Sequence, residues 1–116
     1  MQGKSAKKSS VSATSSQVSI VGRLGAHVRT REMPSGDVIA SFTVVVDRPA
    51  RSRGTVSVDS LACTTDRART REALARMEPG TLVCVEGTLR RRFWRGASAG
   101  ALGSAMEVLV RSVRKA

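Results

Sequence analysis

Arg90, Arg92 and Trp94 are the residues of this chain whose types and spacing could do chemistry together. They recur at every second position in LVCVEGTLRRRFWR, residues 82–95, and a period of two puts them on one face of an extended strand. Thr88 joins them there, while Val83, Val85 and Leu89 alternate onto the opposite, core-facing side. Guanidinium groups beside the only tryptophan of the chain supply cations for a flexible polyanion and a flat surface for its bases. Alternation argues against a core role for Trp94, which leaves covering the end of the fold or an oligomer contact as its structural alternatives. Arg91 shares the inward side with Leu89 and Phe93, so its long stem must reach past the end of the core to keep the charge in water.

The charge balance agrees with this chemistry. Twenty Lys and Arg oppose nine Asp and Glu, a net charge of +11, and such an excess implies nucleic acid or another anionic surface as partner. The arginines cluster at 29–31, 48–53, 67–76 and 90–95, which favours a patch over an even scatter. Arg23, Arg48, Arg51 and Arg53 are weaker candidates for that patch, since arginines near loops are common. Arg67, Arg69, Arg71 and Arg76 lie in a helical stretch and read as its solvated face.

Several classes fall away. No apolar run approaches the roughly 20 residues that span a bilayer. The start, MQGKSAKKSSVSATSSQ, has lysines but no apolar segment behind them, so it is not a secretory signal. Cys63 and Cys84 sit in apolar, strand-like runs and are expected to be buried reduced thiols of a cytoplasmic protein. With the lone His27 at unrelated spacing they form no metal site, and no cofactor is expected. A single His, no paired carboxylates, no phosphate-cradling glycine loop and no Cys/His nucleophile pattern argue against an enzyme. Asp59 and Glu86 are better suited as ion-pair partners for the many arginines.

The elements that must position these residues follow in order. Residues 1–16 are mostly Ser, Lys, Ala and Thr and are expected to form a flexible basic arm, leaving 17–116 as a single domain. Gln17–Leu24 is strand-like, with Gly22 marking a bulge or strong bend. A short Arg-containing run follows, then the turn Pro34-Ser35-Gly36-Asp37. Val38–Asp47 is a second strand, with Val38, Ala40, Phe42, Val44 and Val46 on one apolar face. The basic loop 48–54 leads to a third strand, Thr55–Thr64. Thr65 or Asp66 can cap a short helix that buries Ala68, Leu74 and Met77 and stops at Pro79-Gly80. The strand ending in Trp94 comes next, then GASAGALGS and a last strand, Ala105–Val113. Five strands with one helix between the third and fourth make an all-β chain of the OB-fold barrel type. One helix cannot supply the crossovers that a parallel α/β sheet needs.

Three blocks carry a resemblance to the bacterial single-stranded DNA-binding protein family. VSIVGRLG at 18–25 is similar to the family's opening strand. REMPSGDVIASFTVVVDR at 31–48 resembles its Arg-aromatic-x-Pro-x-Gly turn and the strand after it. GTLVCVEGTLRRRFW at 80–94 is close to Gly-x-x-Val-x-(Ile/Val)-Glu-Gly-x-Leu-x-x-x-x-Trp and is the most specific of the three. The resemblance spans residues 18–113 in order.

It implies an OB fold, assembly as a homotetramer, and sequence-tolerant binding of single-stranded DNA over the sheet faces, in replication, repair or recombination within the cytoplasm at the nucleoid. Trp94 falls at a family stacking position, Arg31 where the family keeps an Arg at the DNA surface, and Arg90 and Arg92 on the basic stretch before the Trp. The chain also departs from the family. Other stacking positions hold Ala50, Val58 and Thr64, and the turn aromatic is Glu32. Only 3% of residues are aromatic. The chain ends RSVRKA, without the acidic tip through which the family recruits partners, so such recruitment is not expected. The competing expectation is an OB-fold interaction module, primosomal or RNA-binding, acting mainly through a protein partner.

Overall fold

Alternating β-branched and small apolar residues carry most of the chain into strands. These are β1 (Gln17–Leu24), β2 (Arg29–Glu32), β3 (Val38–Asp47), β4 (Val58–Thr65), β5 (Leu82–Arg95) and β6 (Leu102–Lys115), with helix α1 (Ala68–Ala75) between β4 and β5. The computed structural model describes residues 14–49, 57–95 and 102–116. Most of the expected basic arm, together with Ala50, Arg51 and Arg53, lies outside the described residues.

The strands close on themselves. β1 pairs with β5, β5 with β6, β6 with β4 and β4 with β3, and β3 returns to β1 at Arg23↔Val45 and Leu24↔Val44. Only β4–β6 is parallel, at Cys63↔Val108 and Thr64↔Leu109. This ring is the expected five-stranded barrel, with the helix between its third and fourth strands.

β2 is a sixth strand that the sequence showed only as an Arg-containing run. It pairs along the edge of β3, from Arg29↔Ser41 to Glu32↔Val38. All four of its residues are exposed, so no apolar alternation announces it. Backbone pairing holds it, and the turn sets the register: Gly36 donates to the Met33 carbonyl at 2.8 Å, and Met33 donates to the Asp37 carbonyl at 2.7 Å. The last two strands also run longer than expected, to Arg95 and from Leu102.

Inside the ring, Ile20, Leu24, Phe42, Val44, Cys63, Leu74, Val83, Val85, Val108 and Val110 form the core. Val38 and Val46, at the two ends of the apolar face of β3, are only half-buried. Gly22 lies where β1 bends against β3. A Cβ there would stand 2.6 Å from the Val45 carbonyl oxygen, so ring closure requires the missing side chain.

Helix α1 plugs one end of the barrel through Leu74, with Met77 half-buried behind it. Ala68, expected inside, is exposed, and Thr70 is buried instead. Thr70, Leu74 and Met77 are spaced four and three apart, and Ala68 is two residues out of phase with that stripe. Asp66 does not cap the helix. The Thr65 hydroxyl accepts from the Arg67 N–H at 3.2 Å and donates to the Val110 carbonyl at 2.9 Å. The Thr70 hydroxyl donates to the Arg111 carbonyl at 3.1 Å. Both carbonyls lie at a bulge in β6, where Glu86 pairs with Ser112 and Gly87 with Val110, leaving Arg111 unmatched. The helix is thus fastened to the strand at the place where the ladder is interrupted.

Candidate nucleic-acid interface

Beyond Leu89 the paired strands β5 and β6 leave the barrel as a two-stranded arm. Register decides its faces, because residues directly opposite one another share a side. Arg90 faces Glu107, Arg92 faces Ala105, and Trp94 faces Gly103. Trp94 lies flat across Gly103: a Cβ there would stand 2.5 Å from the indole Nε1. Glycine at this one position therefore sets how the ring is presented.

Glu107 is the anchor of this face. It is 5% exposed, and Arg90 donates to its Oε2 from Nε at 2.9 Å while Nη2 of the same guanidinium stands 2.9 Å from that oxygen. Arg92 reaches the other oxygen at 3.9 Å and also stands over the Trp94 ring, with Cζ 5.4 Å from its centroid. One buried carboxylate thus orders two arginines, and the second of them lies against the indole.

The arm faces the β2–β3 hairpin across a groove. Three adjoining depressions of about 400 Å³, 410 Å³ and 410 Å³ all include Ser41 and Arg92 in their walls. Arg29, Arg31 and Arg92 meet in one of them. Arg31, Arg90, Arg92 and Trp94 line another, with Glu107 and Thr64 at its wall. Thr64 Oγ1 is buried without a hydrogen-bond partner among the described residues.

Four of the six sequence candidates, Trp94, Arg90, Arg92 and Arg31, therefore share one cavity. The other two do not. Arg23 donates from Nη2 to Asp47 at 2.9 Å and Arg48 donates from Nε to Asp59 at 2.9 Å, on the barrel wall. The hydrogen bond from Arg23, with its charge adding, holds the Asp47 carboxyl below the usual carboxylate range. Asp59 is an ion-pair partner, as expected, and so is Glu86, 3.5 Å from Arg111. Arg29 was not among the candidates. Its signal was available, since Arg29 and Arg31 are two apart and share one face of a strand, but nothing in the sequence showed that strand.

Cys63 is buried and Cys84 half-buried, both as free thiols. Burial, with Glu107 nearby adding to it, pushes the Cys63 thiol up to about 12, so it stays protonated and unreactive at neutral pH. Among the described residues no three His, Cys, Asp or Glu side chains gather as a metal site. No helix there is long and apolar enough to cross a membrane.

The comparisons with known proteins meet this geometry. The model of the single-strand binding protein family matches residues 15–116. A mitochondrial single-stranded DNA binding protein of S. cerevisiae, Rim1, superposes with a TM-score of 0.66 at 16% identity, covering 89% of this chain and 96% of that one. The Plasmodium falciparum SSB, in complex with ssDNA, superposes with a TM-score of 0.71 at 18% identity, covering 88% of this chain and 93% of that one. At these identities the structures establish the OB fold. No curated protein matches the chain.

Proposed function

The chain belongs to the single-strand binding protein family, and on that premise we propose that it binds single-stranded DNA without base preference in the groove between the arm and the β2–β3 hairpin. Members of the family are non-enzymatic DNA-binding proteins. The observation that carries the placement is the convergence of Arg29 and Arg31 from β2 with Arg90, Arg92 and Trp94 from β5 on cavities that share Arg92. Bases stack against Trp94 and phosphates meet the arginines.

Only one tryptophan serves this groove, so affinity leans on phosphate contacts more than on stacking. Salt dependence is then steep and the preference for single strands over duplex modest. Residues 17–116 form the binding domain, preceded by the basic arm at 1–16. By analogy with the family, we place the protein as a homotetramer acting in replication, repair or recombination in the cytoplasm, at the nucleoid.

The test is quenching of Trp94 fluorescence by oligo-dT, oligo-rU and duplex at several salt concentrations, with the mass in solution measured alongside. Quenching by oligo-dT that weakens steeply with salt is the expected result. Absence of quenching by any single strand, with binding to a protein partner retained, would replace this reading with that of an interaction module.

A further inference from the structure

Strand periodicity separates RRRFWR, residues 90–95, into two interleaved sets. Arg90, Arg92 and Trp94 take the groove face. Arg91, Phe93 and Arg95 alternate onto the reverse, and Phe93 also borders the groove cavity that Trp94 lines. In a barrel wall the reverse would be core, but the arm has left the barrel and both of its faces meet solvent. Phe93 is 60% exposed, more than Trp94 at 43%. Arg91 is held beside it, donating from Nη1 to the Ser104 hydroxyl at 3.2 Å.

The two faces differ in their acids. Glu107 belongs to the groove side, opposite Arg90. Among the described residues neither Arg91 nor Arg95 joins an ion pair. The reverse face therefore carries an exposed aromatic with an arginine two residues to either side, and its charge is not offset locally.

We propose that this reverse face is a second stacking site for single-stranded nucleic acid, with a base against Phe93 and the flanking phosphates on Arg91 and Arg95. The proposal rests on the groove being a single-strand site, and extends the path of the strand around the arm. Charge selects this occupant over a second copy of the chain. Two such faces packed together would bring four arginines into contact with no carboxylate to offset them. The exposed Leu89 and Met106 continue the apolar strip toward the barrel, where the flat surface of a further base can cover them.

The experiment uses labelled oligo-dT of increasing length, followed by anisotropy, on the full chain and on the variants Phe93→Tyr, Phe93→Leu and Trp94→Ala, with solution mass measured for each. Phe93→Leu should lose roughly 5- to 100-fold in affinity for long oligonucleotides. It should leave the shortest bound lengths unchanged, and Phe93→Tyr should match the parent throughout. Arg91→Ala should lower the salt slope by about 0.7. Binding of Phe93→Leu equal to the parent at every length would overturn the proposal, as would a fall in assembly mass with affinity per subunit intact. If the parent chain itself binds no oligo-dT, the groove reading fails first. If Trp94→Ala weakens binding and Phe93→Leu does not, only the second site fails.

Discussion

The barrel wall and the β5–β6 arm use the same residue, arginine, to opposite ends. On the wall three arginines each meet their own carboxylate: Arg23 with Asp47, Arg48 with Asp59, Arg111 with Glu86. On the arm Arg90 and Arg92 share one acid, Glu107, and among the described residues Arg91 and Arg95 meet none. The wall is close to neutral pair by pair, while the arm holds an excess of cations beside its two aromatic residues. A net charge of +11 is thus a poor guide to where an anion binds. What matters is where cations outnumber the carboxylates within reach: the wall pairs at 2.9 Å are one to one, whereas Arg90 and Arg92 draw on the single carboxylate of Glu107.

The contrast breaks most visibly under substitution of the core. Leu74→Ala, at a site 1% exposed, should cost about 2–5 kcal/mol of folding stability in denaturant titration. The affinity of the protein that remains folded should not change. Trp94→Ala should do the reverse. It should lose about 1–3 kcal/mol of single-strand binding by anisotropy, with the unfolding midpoint unmoved. A large loss of stability in Trp94→Ala would mean that the arm is part of the barrel's own packing.

Cys63 sharpens the barrel side through pH. Its folded value is raised to about 12 against an ordinary 9.0, so between those values the unfolded chain releases a proton that the folded chain keeps. Stability should therefore fall as pH rises above about 9, by up to about 1.4 kcal/mol per pH unit. The slope should flatten in Cys63→Ala, whatever that variant's absolute stability. Equal alkaline slopes in the two proteins would contradict the burial argument.

The arm side is sharpened by its lone acid. Glu107→Gln keeps the shape and removes a negative charge from the groove wall. Single-strand affinity should rise by about 1 kcal/mol, roughly fivefold in Kd. A drop in affinity would show instead that ordering Arg90 and Arg92 outweighs the charge. The smallest effect separates the two kinds of arginine directly. Arg31→Ala should reduce the salt slope of binding by about 0.7, while Arg23→Ala, already paired with Asp47, should leave it nearly unchanged.

Much of the barrel could be read from alternation alone. The apolar face of β3 and that of β5 at Val83 and Val85 stand in the structure where periodicity placed them, because a buried face enforces a period of two over several residues. Leu89, expected on the core side, is exposed where the arm leaves the barrel, and the helix ends at Ala75, short of Pro79-Gly80. The faces of Arg90, Arg92 and Trp94 were legible for the same reason. β2 was not, because a strand held only by backbone pairing and exposed on every side chain leaves no hydrophobic trace. Ala68 was misplaced inside the helix stripe because eight residues offer too few turns to fix the phase.

The sequence by itself determined the order of the elements, which side chains share a face, and that consecutive residues 90–95 must point to alternate sides. Those are consequences of local backbone geometry, which each residue type carries with it. Only the tertiary structure decided which arginines are free to meet a ligand. Ring closure brings Asp47 to Arg23 across 24 positions, strand pairing brings Glu107 to Arg90 across 17, and the β2–β3 hairpin swings Arg29 and Arg31 to face the arm. Coulomb energy depends on distance in space, and no spacing along the chain supplies that distance.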